Sequence, residues 1–263
     1  INTTPQDINK VVGGTQDNGC NTLDNGTFTH DRGADGFACL IDYTNLNKIY
    51  MSTQGDLYRS TNNSSSFTNI TPAAIQGHTW DVPWTMHPST PATLYVGQAD
   101  IYKSTDSGNN WSATGTGNPS DWFLEVTVAP TYTSRVYGVT PNRVYRSDNA
   151  GGSWTNITSG LPVSPDYSYI AVDPTYSSYI YVTFSSYTSG TKVYRSTDAG
   201  ATWSNFTGTS LPNVPVNCVV CDNTSNDGVY IGTDVGVFYR DNTMTDWVPF
   251  FNQLPNVIVN EME

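Results

Sequence analysis

The eight residues STDAGATW at 196–203 return, with small changes, along most of the chain. STDSGNNW occupies 104–111, SDNAGGSW 147–154 and STNNSSSF 60–67, and a shortened DNTMTDW stands at 241–247. The closing aromatics Phe67, Trp111, Trp154, Trp203 and Trp247 are therefore 44, 43, 49 and 44 residues apart. A period in the forties is the mark of one supersecondary unit stacked on copies of itself, so residues 1–263 are expected to form a single domain built as an array.

Aligning the units on their octets recovers the rest of the repeat. A strand ending in Tyr-Arg or Tyr-Lys precedes each octet (LYRS at 57, IYKS at 101, VYRS at 144 and 193, FYRD at 238). Before it lies a strand with a central tyrosine (IYMS, LYVG, VYGV, IYVT, VYIG), and before that an apolar strand closing in an Asp/Pro turn. A short fourth strand such as WTNIT or WSNFT follows each octet. Four short β-branched and aromatic strands separated by Gly, Pro, Asn and Asp turns describe one blade of a β-propeller, so the fold class is all-β.

In the octet, Ser and Asp side chains can accept backbone N–H bonds, glycine can take positive φ, and tryptophan can bury its ring against the neighbouring unit. These boxes resemble the Asp-box (BNR) repeat of sialidases, sortilin-type receptors and two-propeller xyloglucan hydrolases, in which the box lies on the face away from the ligand site. The resemblance implies a structural role for Ser104, Asp106, Gly108 and Trp111, for Ser147, Asn149, Gly151 and Trp154, and for Ser196, Asp198, Gly200 and Trp203. GGTQDNG at 13–19, GADGF at 33–37 and IGTDVGVFYRDNTM at 231–244 are similar to segments of secreted or surface BNR-repeat proteins of Bacteroidetes-like bacteria. Such proteins often continue past a VIVNEME-like strand with a sorting tail that this sequence lacks, so surface attachment does not follow from the likeness.

The two ends bear on the blade count. NTTPQDIN at 2–9 matches the Asp/Pro turn and KVVGGT the second strand, so the first unit is expected to lack its innermost strand, which VIVNEME at the C-terminus would supply. That gives six blades with the termini sharing one, closed without a free edge. The alternatives are seven blades or a fragment of a longer propeller. The sequence begins at Ile1 with no signal peptide, as in a processed chain or an excised piece.

Eleven basic against 23 acidic residues give a net charge of -12, which repels nucleic-acid backbones and anionic membrane surfaces. No apolar run is long enough to span a bilayer. Low lysine with abundant Asn, Thr, Ser, Gly and Tyr suits an extracellular or cell-surface protein. Of the four cysteines, Cys218 and Cys221 lie three apart on a strand, about 10 Å and so beyond disulfide reach. Cys20 and Cys39 are left open as a bridge.

The strand order puts octets and Asp/Pro turns at one end of each blade and the remaining loops at the other, around the propeller mouth. Counting back seven residues from the turn positions 42, 87, 129, 173 and 222 lands on Asp35, Trp80, Trp122, Asp166 and Pro215. With Asp81, Asp121 and Tyr167 beside them, these are the candidate ligand-binding residues, and Asp17, Asp100 and Arg143 belong to neighbouring loops. Exposed indoles offer flat apolar faces to sugar rings and carboxylates accept their hydroxyls. The plainer alternative is that both tryptophans pack between blades.

Catalysis finds less support. A sialidase needs three convergent arginines, but Arg59, Arg146, Arg195 and Arg240 share one scaffold position and Arg135 falls in a turn on the octet side. A glycosidase needs two carboxyls at a defined separation, for which Asp35, Asp81, Asp121 and Asp166, or Glu125 and Glu261, are the candidates. No nucleophile, metal or phosphate motif is present, His30, His78 and His87 have no ligand spacing, and no cofactor or metal is called for. His87 replaces the turn aspartate of its unit. The sequence therefore points to a noncatalytic recognition module that binds a glycan or polysaccharide at the mouth opposite the octets. The alternatives are a glycoside hydrolase of the xyloglucanase kind, or a piece of one, and a scaffold for a protein partner.

Overall fold

The computed structural model describes residues 1–75, 80–117, 121–163, 166–224, 226–250 and 255–263. It divides into two compact units, Ile1–Thr114 with Glu263, and Gly115–Met262. The first unit holds three antiparallel four-stranded meanders. They are β1 (Asn2–Thr4), β2 (Asp7–Thr15), β3 (Gly19–Asp24) and β4 (Thr27–Arg32); β5 (Gly36–Ile41), β6 (Ile49–Thr53), β7 (Asp56–Ser60) and β8 (Thr68–Asn69); and β9 (Trp84–Met86), β10 (Leu94–Gly97), β11 (Ile101–Ser104) and β12 (Ser112–Ala113).

The second unit repeats the plan with β13 (Glu125–Val128), β14 (Val136–Thr140), β15 (Arg143–Ser147) and β16 (Thr155–Asn156); β17 (Tyr167–Val172), β18 (Ile180–Phe184), β19 (Val193–Ser196) and β20 (Ser204–Asn205); and β21 (Val216–Cys221), β22 (Val229–Thr233), β23 (Gly236–Arg240) and β24 (Val248–Pro249). No helix occurs among the described residues. Six such blades make this a six-bladed β-propeller, the class expected from the repeat.

Within each unit the hydrophobic cores lie between successive blades. Tyr50 and Leu57 of the second blade pack on Trp84, Leu94 and Val96 of the third, and Tyr137, Val139 and Val144 of the fourth pack on Tyr167, Ile170 and Val182 of the fifth. This explains the second strands: β6 and β18 are buried at every position because both faces meet a neighbouring blade of the same unit.

The octets are the joints between blades. Ser196 Oγ accepts the Gly200 N–H at 2.8 Å and donates to Asp198 Oδ1 at 2.8 Å, and that carboxylate accepts the Thr202 N–H at 2.8 Å. Ser104 with Asp106 and Ser147 with Asn149 repeat the pattern. The indole N–H of Trp203 then donates to the Ile157 carbonyl of the preceding blade at 2.9 Å, as Trp111 does to Ile70 and Trp247 to Phe206. Each acceptor directly follows the fourth strand of its blade. Gly200 has φ +85°, and a Cβ there would stand 2.3 Å from Ile157 Cδ1, so the position needs glycine for both conformation and contact. Arginines return the link: Arg59 Nη1 donates to the Ser107 carbonyl at 2.7 Å and Arg146 Nη1 to that of Ala199 at 2.5 Å.

The Asp/Pro turns also behave as expected, with Asp42, Asp173 and Asp222 each accepting the N–H two residues on. His87 takes the same part through Nδ1, 3.3 Å from the Ser89 nitrogen.

One expectation is corrected. The first blade does not borrow its innermost strand from the C-terminus, because Asn2–Thr4 pairs with β2 through Asn2↔Val12 and Thr4↔Asp7. The chain reverses at Pro5 and Gln6 alone, and a three-residue strand is too short to register as a period. The C-terminal stretch instead lies on the sixth blade, where the Val259 N–H donates to the Thr233 carbonyl at 3.0 Å. Between the terminal segments, Asn2 Nδ2 donates to Glu263 Oε1 at 2.8 Å.

The worn octet of the sixth blade has its own clasp. Asp246 Oδ2 accepts the N–H and hydroxyl of Thr209 and the N–H of Ser210 at 2.7–3.0 Å, and Oδ1 accepts the Trp247 N–H at 2.8 Å. Burial alone would raise its pKa, but these donors outweigh it and hold the carboxyl well below the usual carboxylate range. A depressed folded pKa contributes stability that is present above the unfolded value of about 3.9 and is lost as pH falls through the folded one. Asp246→Asn is therefore expected to cost about 1–2 kcal/mol at neutral pH. In urea titrations the gap between parent and variant should close as the pH is taken below about 4. A gap independent of pH would contradict the assignment.

Candidate functional site

In the first unit, the connection into the third blade is pinned by Val82 and Trp84, both buried, with Trp84 Nε1 donating to the Ala38 carbonyl at 3.2 Å. Just before these anchors Trp80 and Asp81 face solvent, and Trp80 is 56 % exposed. Its ring rests edge-on against Phe37, centroids 6.3 Å apart at 77°. More than half of Trp80 stays exposed beyond that contact. His78 lies outside the described residues.

Asp35 differs from this pair. It is 8 % exposed and accepts the Asp17 N–H at 2.7 Å and Gln54 Nε2 at 3.0 Å, so it ties the β2–β3 turn of the first blade to the β6–β7 turn of the second. The Asp17 and Gln54 hydrogen bonds hold its carboxyl below the usual range. It braces the scaffold, with both oxygens engaged. Burial pushes the Asp100 carboxyl upward.

In the second unit, Trp122 is 47 % exposed beside the half-buried Asp121. Asp121 Oδ1 accepts the Trp122 N–H at 3.0 Å, Oδ2 accepts the Thr140 hydroxyl at 3.1 Å, and Arg143 Nη1 stands 3.9 Å from Oδ2. Phe123, buried and edge-on to Tyr145 at 6.1 Å, fixes the backbone so that Trp122 and Leu124 point outward. Asp166 is half-buried, and its carbonyl accepts the Ser185 N–H at 2.8 Å.

Tyr167 is only 3 % exposed, packs edge-on to Phe184 at 4.8 Å and donates its hydroxyl to the Pro162 carbonyl at 2.9 Å. Burial raises that phenol to about 12. Tyr167 therefore forms the floor of a hollow of about 520 Å³ whose walls are Asn142 and the 158–163 connection. No local pattern marks this hollow, because its walls are the Thr, Ser, Gly, Leu, Pro and Val of an ordinary loop.

The arginines are occupied by the scaffold. Arg135 pairs with Asp148 at 2.6 Å, Arg240 Nη1 donates to the Phe206 carbonyl at 3.1 Å, and Arg195 lies over the Phe206 ring at 4.7 Å. Glu125 opens β13 half-buried, whereas Glu261 is exposed beyond β24. No group of three or more His, Cys, Asp or Glu suited to a metal ion occurs among the described residues. Chemically, what each unit offers is an exposed indole flanked by a carboxylate.

No family model matches the chain. A curated xyloglucanase of Hypocrea jecorina (strain QM6a) is 31 % identical over 124 residues, which is 41 % of this chain and 13 % of that protein. Among solved structures, an ancestral GH74 enzyme superposes with a TM-score of 0.74 at 18 % identity, covering 93 % of this chain and 37 % of its own. YCF48 bound to D1 peptide superposes with a TM-score of 0.65 at 13 % identity, covering 95 % and 81 %. The chain thus spans a small part of the xyloglucanase and well under half of the GH74 structure. At these identities the structural likenesses establish the propeller fold.

Proposed function

We propose that the chain is an extracellular, noncatalytic propeller that binds a neutral glycan, with the octets acting as Asp-box repeats of the scaffold. The observation that carries this reading is the exposure of Trp80, which rests edge-on against Phe37, and of Trp122, which the buried Phe123 follows in the chain, each next to an aspartate. A large apolar ring held open to water is unfavourable unless something covers it, and the apolar face of a pyranose ring does so while its hydroxyls reach the carboxylate. The net charge of -12 disfavours uronates and sialates. The partial match to a xyloglucanase makes a xyloglucan oligosaccharide the first probe.

Titration calorimetry of the whole chain with that oligosaccharide is expected to give binding that Trp122→Ala or Trp80→Ala weakens about tenfold, equivalent to about 1.4 kcal/mol. Variants that bind like the parent, or no binding at millimolar glycan, would overturn the site. The same match favours a second reading, that the chain is a piece of a glycoside hydrolase. Release of reducing ends by purified protein, abolished by Asp81→Asn or Asp121→Asn, would replace the first reading with the second.

A further inference from the structure

Cys20 on β3 and Cys39 on β5 are 0 % and 1 % exposed, and both are thiols in the structure. They share one buried cluster with Val12, Ile41, Ile49 and Met51, at the contact between the first blade and the second. Cys20 Sγ donates to the Ser52 carbonyl at 3.3 Å. Ser52 follows Met51, which is the partner of Cys39 across the β5–β6 ladder, so the contact carries Cys20 to the strand beside Cys39. Cys39 Sγ itself donates to the Phe37 carbonyl at 3.5 Å. Hydrogen bonding from Cys39, opposed by burial, holds the Cys20 thiol below its ordinary value in the folded protein.

The other pair is built differently. Cys218 and Cys221 lie three apart on β21, about 10 Å if extended, and burial pushes the Cys218 thiol up to about 12 and Cys221 well above its ordinary value.

We propose that Cys20 and Cys39 are a built disulfide site that fastens the first blade to the second when the chain folds in an oxidising compartment. The Cys20 thiolate attacks one sulfur of a low-molecular-weight disulfide, breaking its S–S bond and expelling one thiolate. Cys39, losing its proton, attacks the Cys20 sulfur of the mixed disulfide and expels the second. Two electrons pass from the pair to the oxidant, and the two released thiolates take up the two protons. Because both sulfurs are closed from solvent in the folded protein, the mixed disulfide forms during folding, before the pair is covered, and closes as the two blades meet.

The test is to refold the reduced full chain in a glutathione redox buffer and to compare it with chain refolded under reductant. The oxidised product is expected to be lighter by two hydrogen atoms, to show two alkylatable cysteines on denaturation, and to yield a linked peptide containing Cys20 and Cys39. Its thermal midpoint should lie about 5 °C or more above that of the reduced form. Cys20→Ser and Cys39→Ser should each abolish both the linked peptide and the rise. Four free thiols, a bridge involving Cys218 or Cys221, glutathione retained on either residue, or a bridge that lowers the midpoint would overturn the proposal. If one variant fails to fold, the mass and peptide map of the parent decide.

Discussion

Trp247→Ala is expected to lower the unfolding free energy by about 3–5 kcal/mol, the range for removing a large buried aromatic. The ring is 2 % exposed, meets Phe206 edge-on at 5.6 Å, and donates its N–H to the Phe206 carbonyl at 3.0 Å. Its loss opens a void between the fifth and sixth blades and leaves Arg240, whose guanidinium lies over the Phe206 ring at 4.0 Å, on a surface that can move. Trp247→Phe keeps most of the packing and loses the N–H, so about 1 kcal/mol is expected. Trp80→Ala, which removes an exposed ring, should change stability by under about 0.5 kcal/mol. Denaturant midpoints followed by circular dichroism order the three, and any order other than Trp247→Ala, Trp247→Phe, Trp80→Ala contradicts the account.

Gly14→Ala is expected to be nearly as damaging, at about 3 kcal/mol or more, although it adds a single methyl group. A Cβ at Gly14 would lie 2.0 Å from the Phe37 carbonyl oxygen, 2.3 Å from its nitrogen and 2.4 Å from the Gly36 carbonyl carbon. All three are backbone atoms of β5, so no side chain can turn aside. The only relief is to push the second blade away from the first, which loosens the cluster of Val12, Ile41 and Met51 between them. Gly33→Ala, whose Cβ would meet nothing closer than His30 Nε2 at 3.9 Å, provides the control. Equal denaturant midpoints for the two variants would mean that the blades do not meet backbone to backbone.

These two residues also show what the sequence made legible. Trp247 was marked by its place in a period, because a large aromatic closing a polar turn has one physical use, to be buried elsewhere. Gly14 stood in a segment singled out only by likeness, and the reason for it, a contact with residues more than twenty positions away, leaves no local pattern. Other features stayed hidden for similar reasons. Ser107, Ala150 and Ala199 take positive φ just before the octet glycines, but serine and alanine do not advertise that conformation. Asp35 occupied the repeat position of Trp80 and Trp122, yet a connection of only three residues between β4 and β5 keeps it inside, where it finds two donors. The repeat specified where a loop leaves the sheet; loop length decided which side chains reach water.

The indole links between blades have a sense of direction. Trp111, Trp203 and Trp247 each bond to a carbonyl that precedes them by about forty residues, at the end of the blade made just before. A chain emerging from the ribosome therefore presents every docking carbonyl before the tryptophan that needs it has been synthesised. At these three joints the new blade can dock on a finished one, and only the returning arginine bonds, such as that of Arg59 to the Ser107 carbonyl, wait for sequence still to come. A circular permutant opened between Ile157 and Trp203 would make that tryptophan before its carbonyl while leaving their folded contact available, and so would remove the head start at that joint.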